Sequence, residues 1–259
     1  MALIIAFANH KGGVAKTTSV GALGVIFAEE GYRVLMVDLD AQANLTYSFV
    51  DTAKKMPTRF VYDAIRERRD IPRFAVKDRL YIAPSGLEMT LVEGEMTNMR
   101  RREYILTDLL RPVEGNYDFI LLDCPPSLQN ATQNALAVAD RLAVPVTADQ
   151  FSYNGLKMMQ AFVESMRDLN LRLRINDVFF TRYNPATNLA RSSREAIEAE
   201  FPEETFRTVI RQTVKTQEAS SMFMNVVDYS PKCSAALDYR DLAREYGERL
   251  NRELGSNNS

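Results

Sequence analysis

Eight residues near the start of the chain, Lys11-Gly12-Gly13-Val14-Ala15-Lys16-Thr17-Thr18, restrict its fold more than any other stretch. Before them lies an apolar run, Leu3 to Ala8, that reads as a buried strand, and Thr17 to Ala28 has the apolar spacing of a helix. Strand, glycine turn and helix in that order make a phosphate-binding loop. Backbone N–H groups of the turn and of the helix N-terminus face the anion, Lys16 neutralises the β and γ oxygens, and the Thr17 hydroxyl ligates Mg²⁺. A glycine turn followed by an ordinary surface lysine is the plainer alternative, and the flanking pattern argues against it. The second lysine, Lys11, is unusual, because an ordinary phosphate loop has one.

Apolar runs that read as strands continue through Arg33 to Val37, Leu80 to Ala83, Phe119 to Leu122, Leu142 to Val146, Val178 to Arg182 and Phe206 to Ile210, with helical stretches between them. This rhythm predicts an α/β fold, a doubly wound, mostly parallel sheet with helices on both faces. Such sheets bind ligands at the carboxyl ends of their strands, where Lys16, Asp38, Asp40 and Asp123 are expected to meet. Asp123 follows Phe119 to Leu122 in the position of a strand-end carboxylate that holds Mg²⁺ through water; the alternative is a helix-capping or turn aspartate. An acid about twenty residues beyond a glycine loop also marks dinucleotide folds, but this loop lacks the Gly-x-Gly-x-x-Gly spacing and carries a lysine and threonine that a pyrophosphate turn does not need.

The double-lysine loop, Val37-Asp38-Leu39-Asp40-Ala41-Gln42, Leu121-Leu122-Asp123-Cys124-Pro125-Pro126-Ser127-Leu128 and Val144-Pro145-Val146 occur in the order found in the deviant Walker A P-loop ATPases of the ParA and MinD group, which the chain resembles over nearly its whole length. The resemblance implies ATP and Mg²⁺ as ligands, bound by residues 11–18, with Thr17, Asp38 and Asp123 around the metal. It implies that Asp40 orients or activates the attacking water and that Lys11 crosses to the phosphates of a partner subunit. A cation supplied in trans accelerates phosphoryl transfer about 10³–10⁵-fold in well-studied systems. ATP would join two subunits face to face, and hydrolysis would release them. Two residues depart from the family pattern, Ala15 where glycine is usual and Ala41 where proline is common. Alanine tolerates left-handed backbone poorly, so the loop is expected to give Ala15 a negative φ, with weaker nucleotide binding as a further consequence. Pro125-Pro126 fits either a γ-phosphate switch of the family type or a rigid turn.

The 259 residues, 46% of them hydrophobic, suffice for one large core, and residues 1–254 are read as a single ATPase domain with a disordered tail, 255–259. The charged stretch Asp51 to Arg79 reads as an insertion near the nucleotide site, with a helix over Val61 to Arg68. Ala131 to Ala139 reads as another helix. A net charge of −2 does not announce a nucleic-acid protein, so any DNA contact must come from a local patch. Arg182, Arg191, Arg211 and Lys215 are the candidates. The resemblance puts Lys215 on a basic position used for non-specific DNA contact, with Arg211 one place from a family arginine. Cys124 and Cys233 lie far apart without metal-ligand spacing, which argues against an iron-sulfur relative and for a reducing compartment.

The segment Leu237 to Leu254 has apolar residues at four-residue spacing and a mixed-charge polar face, so it is expected to pack on the sheet rather than bind membrane. The sequence shows no bilayer-length apolar run, and neither a signal sequence nor a helix-turn-helix ahead of Leu3 is expected. These readings converge on a cytoplasmic, nucleoid-associated ATPase that dimerises on ATP, holds double-stranded DNA non-specifically and partitions or positions a plasmid, chromosome region or protein cargo. A ParB-like partner would stimulate hydrolysis. A MinD-like membrane-associated positioning ATPase is the alternative; a small-molecule kinase would have no use for Lys11.

Overall fold

The computed structural model describes residues 1–50 and 57–256. Seven strands form one sheet: β1 Leu3–Phe7, β2 Val34–Asp38, β3 Phe74–Lys77, β4 Leu80–Ala83, β5 Phe119–Asp123, β6 Arg141–Thr147 and β7 Ile175–Thr181. Their spatial order is β3-β4-β2-β5-β1-β6-β7, and every pairing is parallel except that of β3 with β4. The helices are α1 Lys16–Glu29, α2 Asn44–Phe49, α3 Val61–Glu67, α4 Met89–Met96, α5 Ile105–Leu110, α6 Asn130–Val138, α7 Ser152–Ser165, α8 Asn188–Glu200, α9 Val214–Ser221, α10 Val226–Tyr229 and α11 Ser234–Ser256.

Alternation along the central strands divides the core in two. Ile4 and Ala6 of β1, Leu35 and Val37 of β2 and Ile120 and Leu122 of β5 face a layer that includes α4, α5, α6 and α7. Their neighbours Ile5, Phe7, Val34, Met36, Phe119 and Leu121 face α1, α10 and α11. This period of two on a sheet buried on both sides is the expected doubly wound arrangement. Helix α1 lies close against β2 because residue 24 is glycine: a Cβ there would fall 2.6 Å from the Met36 sulfur. On its outer side α1 is covered by α11, whose Tyr239, Leu242 and Tyr246 are buried, so the terminal helix packs inward as expected.

Three expectations need correction. Phe206 to Ile210 is not a strand. The Phe206 and Ile210 N–H groups donate to β7 at Val178 O and Phe180 O, but those of Arg207 and Thr208 are captured by the Glu245 carboxylate of α11, each at 2.9 Å, which breaks the ladder. The stretch read as a charged insertion contains β3, whose apolar residues are few enough to hide an antiparallel edge strand; its residues 51–56 lie outside the described residues. Gly255 and Ser256, read as tail, continue α11, while 257–259 lie outside the described residues.

Candidate nucleotide site

Register brings the acidic residues together. In the sheet Phe7 pairs with Asp123 and Asp38 pairs with Asp123, so β1 delivers the glycine loop at the level where β2 and β5 end in carboxylates. A cleft of about 650 Å³ opens there, lined by residues 12–18, Asp40, Pro126, Thr181 and Arg182, and closed on its far side by residues 210–213 and the α9–α10 corner.

Helix α1 has no acidic residue in its first turn and no side-chain cap, so its positive end is left for an anion. Gly13 has φ +74°, and open space surrounds Gly12 where a side chain would stand. Contrary to expectation, Ala15 is left-handed, with φ 64°. Ala15 is the N-cap of α1, and its carbonyl accepts the Ser19 N–H at 2.9 Å and the Ser19 hydroxyl at 2.8 Å. The alanine Cβ costs about 1 kcal/mol there, which the helix absorbs.

Lys16 is buried, and its ammonium donates to the backbone carbonyls of Asn9 at 3.1 Å and Lys11 at 3.3 Å. Burial lowers its pKa, while Asp123 and Asp40 pull it back up. Asp123 is buried, and neither of its carboxylate oxygens has a well-formed hydrogen bond. Burial, followed by the charge of Asp38, drives its pKa well above the usual carboxylate range; the neighbouring Thr17 hydroxyl and Lys16 oppose this. A buried carboxylate without donors beside a hydroxyl and an ammonium suits a hydrated Mg²⁺, which takes one or two protein oxygens and completes its shell with phosphate and water. Among the described residues no cluster of three His, Cys, Asp or Glu could hold a metal by itself, so Thr17 and Asp123 would hold Mg²⁺ only together with a nucleotide.

Asp38, unlike Asp123, has donors on both carboxylate oxygens. One oxygen accepts the Asp40 N–H at 3.1 Å, and the other accepts the Thr46 N–H at 2.9 Å and the Thr46 hydroxyl at 2.7 Å. Its pKa is pushed up to about 6 by burial, against the pull of those donors. Asp40 is half-buried, lines the cleft and accepts the Gln42 N–H at 2.9 Å.

Lys11 does not enter the cleft. It forms an ion pair with Asp149, beyond the end of β6, and donates to the Thr147 hydroxyl at 3.2 Å. Burial raises the Asp149 pKa, but the Lys11 and Thr147 hydrogen bonds prevail and hold it at about 2. Sequence reasoning missed Asp149 as it missed Thr46; the nearest signal was the Val144-Pro145-Val146 run just before Thr147.

The four basic residues expected at DNA are dispersed. Arg182 leaves β7 in a left-handed conformation and donates to the Gly13 carbonyl at 3.2 Å, at the rim of the cleft. Arg211 also lines the cleft, its guanidinium on both oxygens of Asp238. Lys215 pairs with Glu218 at 2.7 Å on α9, and Arg191 is exposed on α8, bonded to the Asn188 side chain.

A family model described as an AAA domain (AAA_31) matches residues 2–175. The chromosome-partitioning ATPase Soj of Treponema pallidum is 34% identical over 249 residues, 95% of this chain and 97% of that protein. The sporulation initiation inhibitor protein Soj of Bacillus subtilis is 35% identical over 249 residues, 95% of this chain and 98% of that protein. Among solved structures, cobyrinic acid a,c-diamide synthase from Mycobacterium smegmatis with bound ADP and magnesium matches with a TM-score of 0.83 and 26% identity, covering 97% of this chain and 96% of that one. With a double-lysine loop between β1 and α1, carboxylates ending β2 and β5, and these relatives over nearly its full length, the chain belongs to the Soj/ParA family of P-loop partition ATPases.

Proposed function

We propose that the protein is an ATP-driven switch that binds Mg-ATP in the cleft, dimerises around it, holds DNA non-specifically in that state and lets go on hydrolysis. The observation that carries this reading is the contrast between the two lysines of one loop. Lys16 is buried at the foot of the cleft, whereas Lys11 is held away from it by Asp149. A lysine presented outward from its own site suits the phosphates of a second subunit, and the Asp149 pair would exchange for that contact when two ATP-loaded subunits meet.

Within the site, Lys16 and the N–H groups of residues 12–18 would bind the phosphates, and Thr17 with Asp123 would hold Mg²⁺. When bound, the metal would neutralise negative charge on the phosphates. Asp40, bordering the cleft, would orient the attacking water. Arg182 and Arg211 belong to this cleft in our reading, one on the loop carbonyl and one in its far wall. Lys215 and Arg191 remain for DNA, since an exposed i,i+3 pair such as Lys215 with Glu218 is weak and yields readily to phosphate. The chain would work as a single ATPase domain in the cytoplasm, on the nucleoid, moving a plasmid, chromosome or protein cargo whose ParB-like adaptor stimulates hydrolysis. Membrane positioning of the MinD kind is disfavoured because the apolar face of α11 is occupied by the core.

Duplex DNA binding measured at fixed salt with ATP, ADP and no nucleotide, alongside Lys16→Ala, tests the reading. Binding with ATP alone, lost in Lys16→Ala, is the expected result; equal or absent binding in every state would overturn it.

A further inference from the structure

Asp40 sits in a turn with little of its own to hold it. Its N–H is taken by Asp38, its side chain by the Gln42 N–H, and the turn closes where the Ala43 N–H meets the Asp40 carbonyl at 3.0 Å. Ala43 is left-handed, with φ 52°, and gives α2 no side-chain cap. The next fixed point is Thr46. Its hydroxyl donates to Asp38 at 2.7 Å and accepts the Ser85 N–H, beyond the end of β4, at 2.8 Å. Thr46, Asp38 and Ser85 are all buried, at 1%, 0% and 2% exposure, so no solvent competes for these bonds.

We propose that Thr46 is a positioning residue for ATP hydrolysis, acting through Asp38 to fix the turn that presents Asp40. The inference rests on the reading that Asp40 orients the attacking water. The Asp38 carboxylate spans the turn, one oxygen on the Asp40 N–H and the other on Thr46. Only a group that donates and accepts at once can tie that carboxylate to β4, and a hydroxyl does both. Without it, Asp38 stays in β2, where it pairs with Asp123, but the α2 end of the turn loses its tie to the segment after β4. The turn then stays fixed at its β2 end, where the Leu39 N–H donates to the Asp123 carbonyl, and loosens at its Thr46 end, while the glycine loop and Lys16, built on β1 and α1, keep their places. The consequence is a defect in the chemical step with nucleotide affinity preserved, since a misplacement of about 1 Å in a catalytic group costs on the order of 10²-fold in rate.

The test compares Thr46→Val, which keeps the shape and removes the hydroxyl, with Thr46→Ser, which keeps the hydroxyl. Thr46→Ala is the second variant should valine not be tolerated beside Ser85. Steady-state ATP hydrolysis, the dissociation constant of a fluorescent ATP analogue and hydrogen exchange of the nucleotide-free protein are measured for each, with Asp40→Ala as reference. Expected for valine or alanine is a kcat lowered roughly 10²-fold, an affinity within about twofold of the unsubstituted protein, and faster exchange at the Asp40 and Thr46 amides. Serine should restore kcat and amide protection together. Equal losses in the serine and valine variants, accompanied by weaker nucleotide binding, would overturn the inference. So would unchanged hydrolysis in Thr46→Val where Asp40→Ala is inactive, and this would leave the reading of Asp40 standing. Full hydrolysis by Asp40→Ala would overturn that reading, and this inference with it.

Discussion

At one edge of the sheet a buried charge is matched atom for atom; at the other it is left waiting. Where β6 and β7 begin, Arg141 donates to Asp177 through Nε at 2.9 Å and Nη2 at 2.8 Å, and its remaining arm reaches Glu253 at 2.6 Å. Asp140 and Asp118 at the same edge accept backbone N–H groups of Ile4 and Arg33. Where β5 ends, Asp123 is as deeply buried as Asp177 but has no comparable partner, and Lys16 spends its donors on backbone carbonyls. Both edges meet the same cost of taking charge out of water. A carboxylate offset by protein alone serves the fold, whereas one left unoffset suits the metal-holding role proposed for Asp123.

The comparison breaks first at Arg141. Arg141→Met should destabilise the fold by about 3–5 kcal/mol, because Asp177 is left charged and unpaired, and adding Asp177→Asn should recover part of that loss. Urea midpoints of the single and double variants measure it. Nucleotide affinity of the folded fraction should be unaltered; a change there would mean that the two edges are coupled.

The opposite sign is expected at Asp123. Asp123→Asn removes a carboxyl that burial and the neighbouring Asp38 penalise more than Lys16 and Thr17 favour it, so the nucleotide-free protein should gain about 1–2 kcal/mol, while the extra thermal stabilisation that Mg²⁺ gives in the presence of ADP should vanish. Thermal melts with ADP, with and without Mg²⁺, read both effects. A less stable apo variant would mean that Asp123 is satisfied within the protein after all, and the contrast between the edges would fail.

Smaller still is the expected gain from Ala15→Gly, about 0.5–1 kcal/mol, as glycine relieves the left-handed backbone at the head of α1. Melting should shift upward by about 2 °C without loss of nucleotide affinity. A lower melting temperature would show that the alanine methyl contributes packing that outweighs its strain.

The site was legible where chemistry is local in sequence. The loop, the carboxylates ending β2 and β5, and the buried strands announce themselves through short motifs and unbroken apolar runs. Contacts that close over long separations did not. Lys11 meets Asp149 across 138 positions and Thr46 meets Ser85 across 39, so neither partner could be read beside its mate. Charge alone has no address: Arg182 and Arg211 looked like any dispersed basic residues until β7 and its neighbouring segment brought them to the cleft. Phe206 to Ile210 has strand composition, and only the capture of two N–H groups by Glu245 keeps it out of the sheet. Ala15 goes against the preference of its residue type, which is why its left-handed φ has no sign in the sequence.

The smallest effect is expected at Asp149, which belongs to the unfinished edge but has a partner of its own. Its pair with Lys11 is about one-third exposed on each side, so it should contribute less than about 1 kcal/mol. The folded pKa of about 2 lies below the ordinary aspartate value of about 3.9. The stabilisation is therefore fully present above pH 4 and is lost as pH falls towards 2, which leaves it constant across the neutral range. Asp149→Asn should lower the melting temperature slightly and equally from pH 6 to pH 8, with the difference closing near pH 2. The same substitution should lower the ATP concentration needed for dimerisation in sedimentation experiments, because Lys11 is released before a partner arrives. A variant that needs more ATP would show that Asp149 guides Lys11 to the second subunit instead of restraining it, and the waiting edge would then hold one finished contact poised for assembly.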